Sequence, residues 1–382
     1  MPDWLASPGQ EAGPEVWVAL GLGAVIVVLF LRALLNRRKL PKLSSSLACE
    51  APDGSPASAP PVDCMVVIPA RDESGYIGDA VRSLPPDSVI VVDDHSEDAT
   101  AEEAREAGAG VILAPDLLRA TSGKASACMA GARALTSRWI LFADADTRFS
   151  PGFLNAAVAC AESNGVAALS VYLDPDYATI GERVLTSYLM ALFFCGTNPR
   201  ADPVAAFNGQ CLLARRDAYL FLGGHAAVAT SVNEDVRLAA NFHRHRMTLG
   251  IARANGRGTV SWRDLGGAVE RGAFRFMIGS SLLGASALLI AAVAMAAWIP
   301  VLVWLLIEHQ YRVAAAFVAV PWLLLWGWYG RGFRSLAVVG LPVATYAALP
   351  MLASGLWAAL KVGAVEWKGR TIGPHDGFLS RL

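Results

Sequence analysis

Two carboxylates, Asp144 and Asp146, close the apolar run Trp139-Ile140-Leu141-Phe142-Ala143 and are spaced to share one divalent cation. Hard cations such as Mg²⁺ or Mn²⁺ take oxygen ligands and commonly bridge a carboxylate to a diphosphate. A second acidic pair, Asp93-Asp94, closes the earlier apolar run Val89-Ile90-Val91-Val92. As parallel strands, the two runs would bring their carboxylates to one sheet edge, where ligands of open α/β sheets bind. These residues suit the holding of a nucleotide diphosphate through a metal. Asp93-Asp94-His95-Ser96 also suits acceptance of hydrogen bonds from a ribose or a base edge. Asp and Ser there equally suit a strand end followed by a helix, with Ser96 or Asp98 as its N-cap.

Glu234-Asp235 opens a helical pattern, where acidic residues favour the first turn through the macrodipole. Beside the two earlier acidic sites, the pair becomes a candidate general base for an acceptor hydroxyl. Gly123-Lys124 fails the Walker pattern because Leu118 stands where the first glycine is required, yet Lys124 can still meet a phosphate as a point charge. His243 and His245 fall on different faces of a helix and read as solvated rather than metal-ligating.

The elements that must position these side chains alternate. Met65 to Ile68, Val89 to Val92, Val111 to Leu113 and Trp139 to Phe142 read as strands. Gly75 to Leu84, Glu97 to Ala107 and Lys124 to Leu135 read as the helices between them. That βαβα order predicts an α/β, doubly wound parallel sheet. Strand-like pieces recur less regularly at Val166 to Leu173, Gln210 to Ala214, Leu249 to Arg253 and Gly258 to Trp262, which extends the same domain into a mixed sheet.

The composition, 54% hydrophobic against 17% charged in 382 residues, is too apolar for an ordinary soluble protein. Val16 to Leu35 is about the length a helix needs to cross a bilayer. Asp3, Glu11 and Glu15 precede it while Arg37, Arg38, Lys39 and Lys42 follow, an order that opposes a signal peptide and places the next domain in the cytosol. Gly279 to Ile307, Val313 to Tyr329 and Leu336 to Leu360 are further apolar stretches, with parity left open between two and three crossings. Val184 to Cys195, about a dozen residues, is too short to span and reads as a core or interfacial helix.

The expected organisation is an anchor over 1–42, a Ser/Ala/Pro-rich linker over 43–61, a catalytic domain over 62–263 and a membrane domain over 264–382. A multi-pass protein of the cell's inner membrane follows, with its catalytic domain cytoplasmic. The net charge of −1 argues against nucleic acid as a partner. Six scattered cysteines without a Cys-x-x-Cys pair signal free thiols in a reducing cytosol.

Taken together and in order, Val66-Val67-Ile68-Pro69-Ala70-Arg71-Asp72-Glu73, Val91-Val92-Asp93-Asp94-His95-Ser96, Ser122-Gly123-Lys124, Ala143-Asp144-Ala145-Asp146, Asn208-Gly209-Gln210 and Glu234-Asp235 resemble the family 2 glycosyltransferases of GT-A fold. Gly223-Gly224-His225, Gly256 to Arg263 and the tail Glu366-Trp367-Lys368-Gly369-Arg370-Thr371-Ile372 are similar to a membrane-bound branch. That branch includes the 4,4'-diaponeurosporenoate and hopanoid-associated glycosyltransferases. The resemblance implies a GT-A domain with a mixed, mostly parallel sheet between N-terminal and C-terminal transmembrane helices.

It further implies an inverting transfer of one sugar from a nucleotide-diphosphate sugar donor to a membrane lipid acceptor of carotenoid, hopanoid or polyprenyl type. Ala70, Arg71, Glu73 and Asp94, with Asp93 beside them, would line the base and ribose pocket, and Asp144 would help hold the nucleotide. Asp146, with Asp144, would ligate Mg²⁺ or Mn²⁺, and Asp235, next to Glu234, would be the base. Relatives that make polysaccharides carry Gln-x-x-Arg-Trp, whereas this chain reads Glu270-Arg271-Gly272-Ala273-Phe274-Arg275-Phe276. Processive synthesis is therefore not expected, and Arg271 and Arg275 receive no role.

Two other classes fit part of the pattern. A phosphorelay receiver also sets an acidic pair after its first strand and a phosphorylated Asp after a later one. Here the strand Met65 to Ile68 precedes the pair, and the acidic pattern continues past receiver length to Glu234-Asp235. A membrane-anchored binding protein could keep the nucleotide pocket without turnover.

Overall fold

The computed structural model describes residues 12–43, 62–116, 122–177, 179–231, 234–254, 256–261, 290, 293–294, 296–319, 346–347, 349–350, 353, 365–367 and 370–372. Arg271, Arg275, the 43–61 linker beyond residue 43 and most of the three C-terminal apolar stretches lie outside them. The chain divides into two compact units, one of Met1–Lys39, Tyr177–Arg200 and Asp264–Trp357, the other of Leu40–Asp176, Ala201–Arg263 and Ala358–Leu382.

In the second unit the apolar runs become strands β1 (Cys64–Ala70), β2 (Val89–Asp93), β3 (Gly110–Leu113), β4 (Trp139–Ala143), β5 (Thr147–Phe149), β6 (Ala168–Tyr172), β7 (Asp174–Asp176), β8 (Cys211–Arg215), β9 (Leu249–Arg253) and β10 (Gly258–Ser261). Seven of them form one sheet in the order β3-β2-β1-β4-β8-β6-β9. Only β8 runs against its neighbours β4 and β6, so the sheet is mixed but mostly parallel, a GT-A-like arrangement. Every residue of β4 and β6 is buried. Near-continuous Val, Ile and Leu runs are what strands covered on both faces require.

Successive side chains point to opposite faces, and two cores result. Val66, Ile68, Val91, Leu141 and Leu213 pack with helices α2 (Ile77–Arg82), α3 (Thr100–Glu106) and α5 (Phe153–Ser163). Val67, Val92, Ile140, Phe142 and Leu212 pack with α4 (Gly123–Ala134), α7 (Arg216–Phe221) and α8 (Glu234–Arg244). Residues 41–43 extend the sheet edge: the Leu43 amide donates to the Arg253 carbonyl (2.9 Å) and the Arg253 amide to the Pro41 carbonyl (2.8 Å).

The segment Gly258–Ser261 differs from its expected place in the main sheet. It lies between β5 and β7 in a separate three-stranded sheet. Its partners are only three residues each, and β7 reads Asp-Pro-Asp, so neither carries an apolar period that could be seen beforehand.

In the first unit α1 (Pro14–Arg38) is, among the described residues, the one helix long and apolar enough to cross a membrane. Val16 and Ala19 pack with Val301 and Leu305 of α9 (Trp298–Ile307) and with Phe317, while Trp17, Val28 and Leu35 remain exposed. The stretch expected as a dozen-residue helix is α6 (Ile180–Gly196), 17 residues long. It starts earlier because Thr179 and Glu182 form a capping box that satisfies its first amides. At its other end Asn36 Nδ2 donates to the carbonyls of Phe194 (2.9 Å) and Thr197 (3.0 Å).

Helix α4 lies close on β1 because residue 131 is glycine. A Cβ there would stand 2.5 Å from Val67 Cγ1 and 2.9 Å from Val67 Cγ2. Valine is stiff at χ1, so no rotation relieves both contacts. Gly131→Ala is expected to destabilise the protein by roughly 1–3 kcal/mol despite alanine's better helix propensity, read as a lowered midpoint in thermal unfolding of the detergent-solubilised chain.

Candidate active site

The strand register sets the site. Ala70, the last residue of β1, pairs with Asp93, the last of β2, so both following loops leave from one edge. The Asp94 amide donates to the Ala70 carbonyl (2.8 Å), and Arg71 Nη1 donates to the Asp94 carbonyl (2.9 Å). Asp93 and Asp94 are buried, and the Asp93 carboxylate accepts from the Ser96 amide (3.3 Å).

Further bonds stitch the loops together. The Asp72 amide donates to Ser96 Oγ (3.0 Å), the Glu73 amide to Thr100 Oγ1 (2.7 Å), the Ser74 amide to Asp98 Oδ2 (3.0 Å) and the Gly75 amide to Glu103 Oε2 (2.7 Å). The expected capping role goes elsewhere: Ala99 occupies the cap of α3 without a side-chain bond, and Ser96 and Asp98 brace the 71–75 loop. Asp98 still accepts the Thr100 amide (3.0 Å). Nothing in the sequence pattern marks Glu103 as a loop brace, because its place on a helix reads only as first-turn charge.

At the end of β4 the chain turns, with the Thr147 amide and hydroxyl both donating to the Asp144 carbonyl (3.2 and 2.7 Å). That turn holds Asp144 and Asp146 at the same edge, and the Ser261 amide donates to the Asp146 carbonyl (3.1 Å). Lys124 stands in the first turn of α4, whose N-cap Ser122 accepts from the Ala125 amide. Its Nζ donates to Asp144 Oδ1 (2.5 Å) and to the Gly209 carbonyl (3.4 Å). The Gly209 amide in turn donates to Asp235 Oδ2 (3.1 Å). Lys124 and Gly209 thus join the carboxylate at the end of β4 to the one that opens α8.

The 208–210 turn is itself fixed. Ser170 Oγ donates to the Asn208 carbonyl (2.9 Å) and accepts its amide (3.0 Å), and the Gln210 carbonyl accepts the Asp144 amide (3.1 Å). A Cβ at Gly209 would press within 3.2 Å of Asp235 Cβ, so any larger residue there would move the Asp235 carboxylate. The motif Asn208-Gly209-Gln210 was visible in the sequence, but not that its backbone bridges Lys124 to Asp235.

Charge is concentrated here. Burial, then the Asp144 and Glu73 carboxylates, push Asp146 up to about 7. Burial pulls the Lys124 ammonium down, yet the Asp144 and Glu234 carboxylates more than offset this and hold it charged. Burial and the nearby Lys124 push His225 down to about 3, leaving a neutral ring bonded to the Tyr219 hydroxyl (2.7 Å). Glu234 is buried, whereas His243 and His245 are exposed.

Among the described residues no three His, Cys, Asp or Glu side chains cluster so as to hold a metal alone. Two neighbouring carboxylates, one with ionisation disfavoured by the other, still fit a divalent cation whose remaining ligands come from water and a diphosphate.

Residues 65–223 match the model for glycosyl transferase family 2. That stretch, less than half of the chain, resembles a family 2 glycosyltransferase domain. The chain is 28% identical over 212 residues to a 4,4'-diaponeurosporenoate glycosyltransferase of Staphylococcus haemolyticus, covering 52% of this chain and 56% of that protein. The enzyme of the same name from Staphylococcus aureus is 38% identical over 89 residues, 22% of this chain and 24% of its own. The chain thus spans little more than half the length of the first of these relatives and about a quarter of the second. A solved mannosyltransferase from Pyrobaculum calidifontis, in complex with GDP-Man and Mn²⁺, aligns over 91% of this chain and 98% of its own at 18% identity and TM-score 0.47.

The protein keeps Asp146 ionised at a cost. Its raised folded-state value means that folding favours the protonated form, so the penalty is absent below the unfolded value, grows as pH rises, and is complete above about 7. In metal-free buffer Asp146→Asn is expected to stabilise the protein on the order of 2–3 kcal/mol at pH 8, a gain that disappears towards pH 4. Thermal unfolding across that pH range, with chelator present, measures it.

Proposed function

We propose that the protein transfers a single sugar, with inversion, from a nucleotide-diphosphate sugar to a lipid acceptor that stays in the membrane. The observation that supports this is the linkage Asp144–Lys124–Gly209–Asp235, which brings the carboxylates of Asp144 and Asp235 to one edge of the sheet.

In this reading Ala70, Arg71, Glu73, Asp93 and Asp94 bind the nucleoside, with the braced 71–75 loop keeping them in place. Asp146 and Asp144 hold Mg²⁺ or Mn²⁺, and Lys124 adds positive charge towards the phosphates. When bound, the cation supplies charge neutralisation for the departing diphosphate. Asp235, with Glu234 beside it, accepts the proton of the attacking hydroxyl. Its carboxylate is oriented by the Gly209 amide and by the Val236 amide (2.8 Å). Direct attack on the sugar, without an enzyme nucleophile, inverts the anomeric centre.

A lipid acceptor is supported by the name that the staphylococcal relatives share, 4,4'-diaponeurosporenoate glycosyltransferase. Support for a membrane setting comes from α1, whose last turn carries Arg37 and Arg38 and which Lys39 and Lys42 follow, a charge order that favours a cytoplasmic catalytic domain. The remaining organisation is proposed as an anchor over 1–42, a linker over 43–61, a catalytic domain over 62–263 and a multi-pass membrane domain over 264–382 in the inner membrane.

Radiolabelled sugar transfer in membranes tests the assignment. Asp235→Asn is expected to lower turnover by roughly 10²–10⁴-fold while nucleotide binding persists, because the amide keeps the shape and loses the base. Asp146→Asn is expected to lose cation-dependent nucleotide binding. Unimpaired transfer by both variants would overturn the proposal.

A further inference from the structure

Building on the reading of the Asp144 and Asp146 edge as the donor diphosphate site, we infer that Lys124 is the resident counter-ion of Asp144. It must leave that carboxylate when the donor arrives, so cation and nucleotide enter as one complex and the cation is not held beforehand.

The geometry is direct. Lys124 Nζ lies 2.5 Å from Asp144 Oδ1, with both side chains mostly shielded from water at 19% and 29% exposure. A carboxylate so placed requires a partner, and in the absence of donor the ammonium is that partner. A divalent ion bound to the same carboxylate would stand within a few ångströms of Nζ, and the repulsion of a double by a single positive charge at that range is steep in a shielded site. The cation alone is therefore disfavoured. A diphosphate reverses the balance, because its oxygens give the ammonium somewhere else to go while they complete the shell of the ion.

Lysine suits this exchange better than arginine would. It is a compact point charge on a flexible four-carbon stem, rooted here in the capped first turn of α4, so the head can move while the backbone stays. Its departure also removes the 3.4 Å contact to the Gly209 carbonyl, on the same peptide-bearing residue whose amide orients Asp235. Arrival of the donor thereby reaches the base that acts on the acceptor.

The test is equilibrium binding to the full-length, detergent-solubilised protein of Mn²⁺ alone, by electron paramagnetic resonance of the free ion, and of UDP and GDP with Mn²⁺, by calorimetry. Lys124→Met is expected to tighten Mn²⁺ alone by about tenfold or more while weakening the Mn²⁺–nucleotide complex. Lys124→Arg, which keeps the charge, is expected to leave the affinity for Mn²⁺ alone near wild type. Should Lys124→Met not fold, Lys124→Gln retains a donor to Asp144 and is expected to shift both affinities in the same directions. Unchanged or weaker Mn²⁺ binding in the neutral variants overturns the inference. The underlying site reading fails separately, if Asp146→Asn and Asp144→Asn leave Mn²⁺-dependent nucleotide binding intact.

Discussion

An ion pair between Lys124 and Asp144 is the interaction on which the candidate active site depends. It joins α4 to the end of β4, and through the Gly209 peptide it reaches α8. Without it Asp144 and Asp146, with Glu73 and Glu234 nearby, would lose the ammonium that faces them, and burial makes such a gathering of negative charge expensive. One lysine, held charged by those same carboxylates, makes the ligand-free protein tolerable.

The compensation is incomplete, and the residue left over is informative. Asp146 is pushed up to about 7 by burial and by its acidic neighbours, so its ionised form is held at the expense of stability. Perturbed carboxylates of this kind gather where a ligand brings the missing charge. The rigid surroundings are consistent with that: paired bonds brace the 71–75 loop, the 208–210 turn is locked to Ser170, and the close approach of Gly209 to Asp235 leaves little freedom for the candidate base.

Much of this scaffold was legible from residue order. The βαβα alternation and the apolar strands ending in Asp93-Asp94 and Asp144-Ala145-Asp146 survive in the structure, because buried parallel strands need near-continuous apolar runs whatever their neighbours. Helix α1 was legible for a similar reason, since length and hydropathy are local properties. Less was visible where elements are short or polar. The Asp174–Asp176 and Thr147–Phe149 strands carry no apolar period, and the 17-residue length of α6 depends on a capping box whose two members flank the apolar run rather than belong to it.

The residue types themselves determined that acidic strand ends, a basic side chain at a helix start and an acidic helix start would exist, each with chemistry suited to a diphosphate, a cation or a proton. Tertiary structure alone decided that Lys124, Asp144, Gly209 and Asp235 meet. Strand order places β8 against β4 and brings the turn before β8 to the edge where β4 ends, and no local rule specifies that order. The bridging contacts run through a backbone carbonyl and amide of one glycine, groups that every residue possesses, so their use is invisible until the chain is folded.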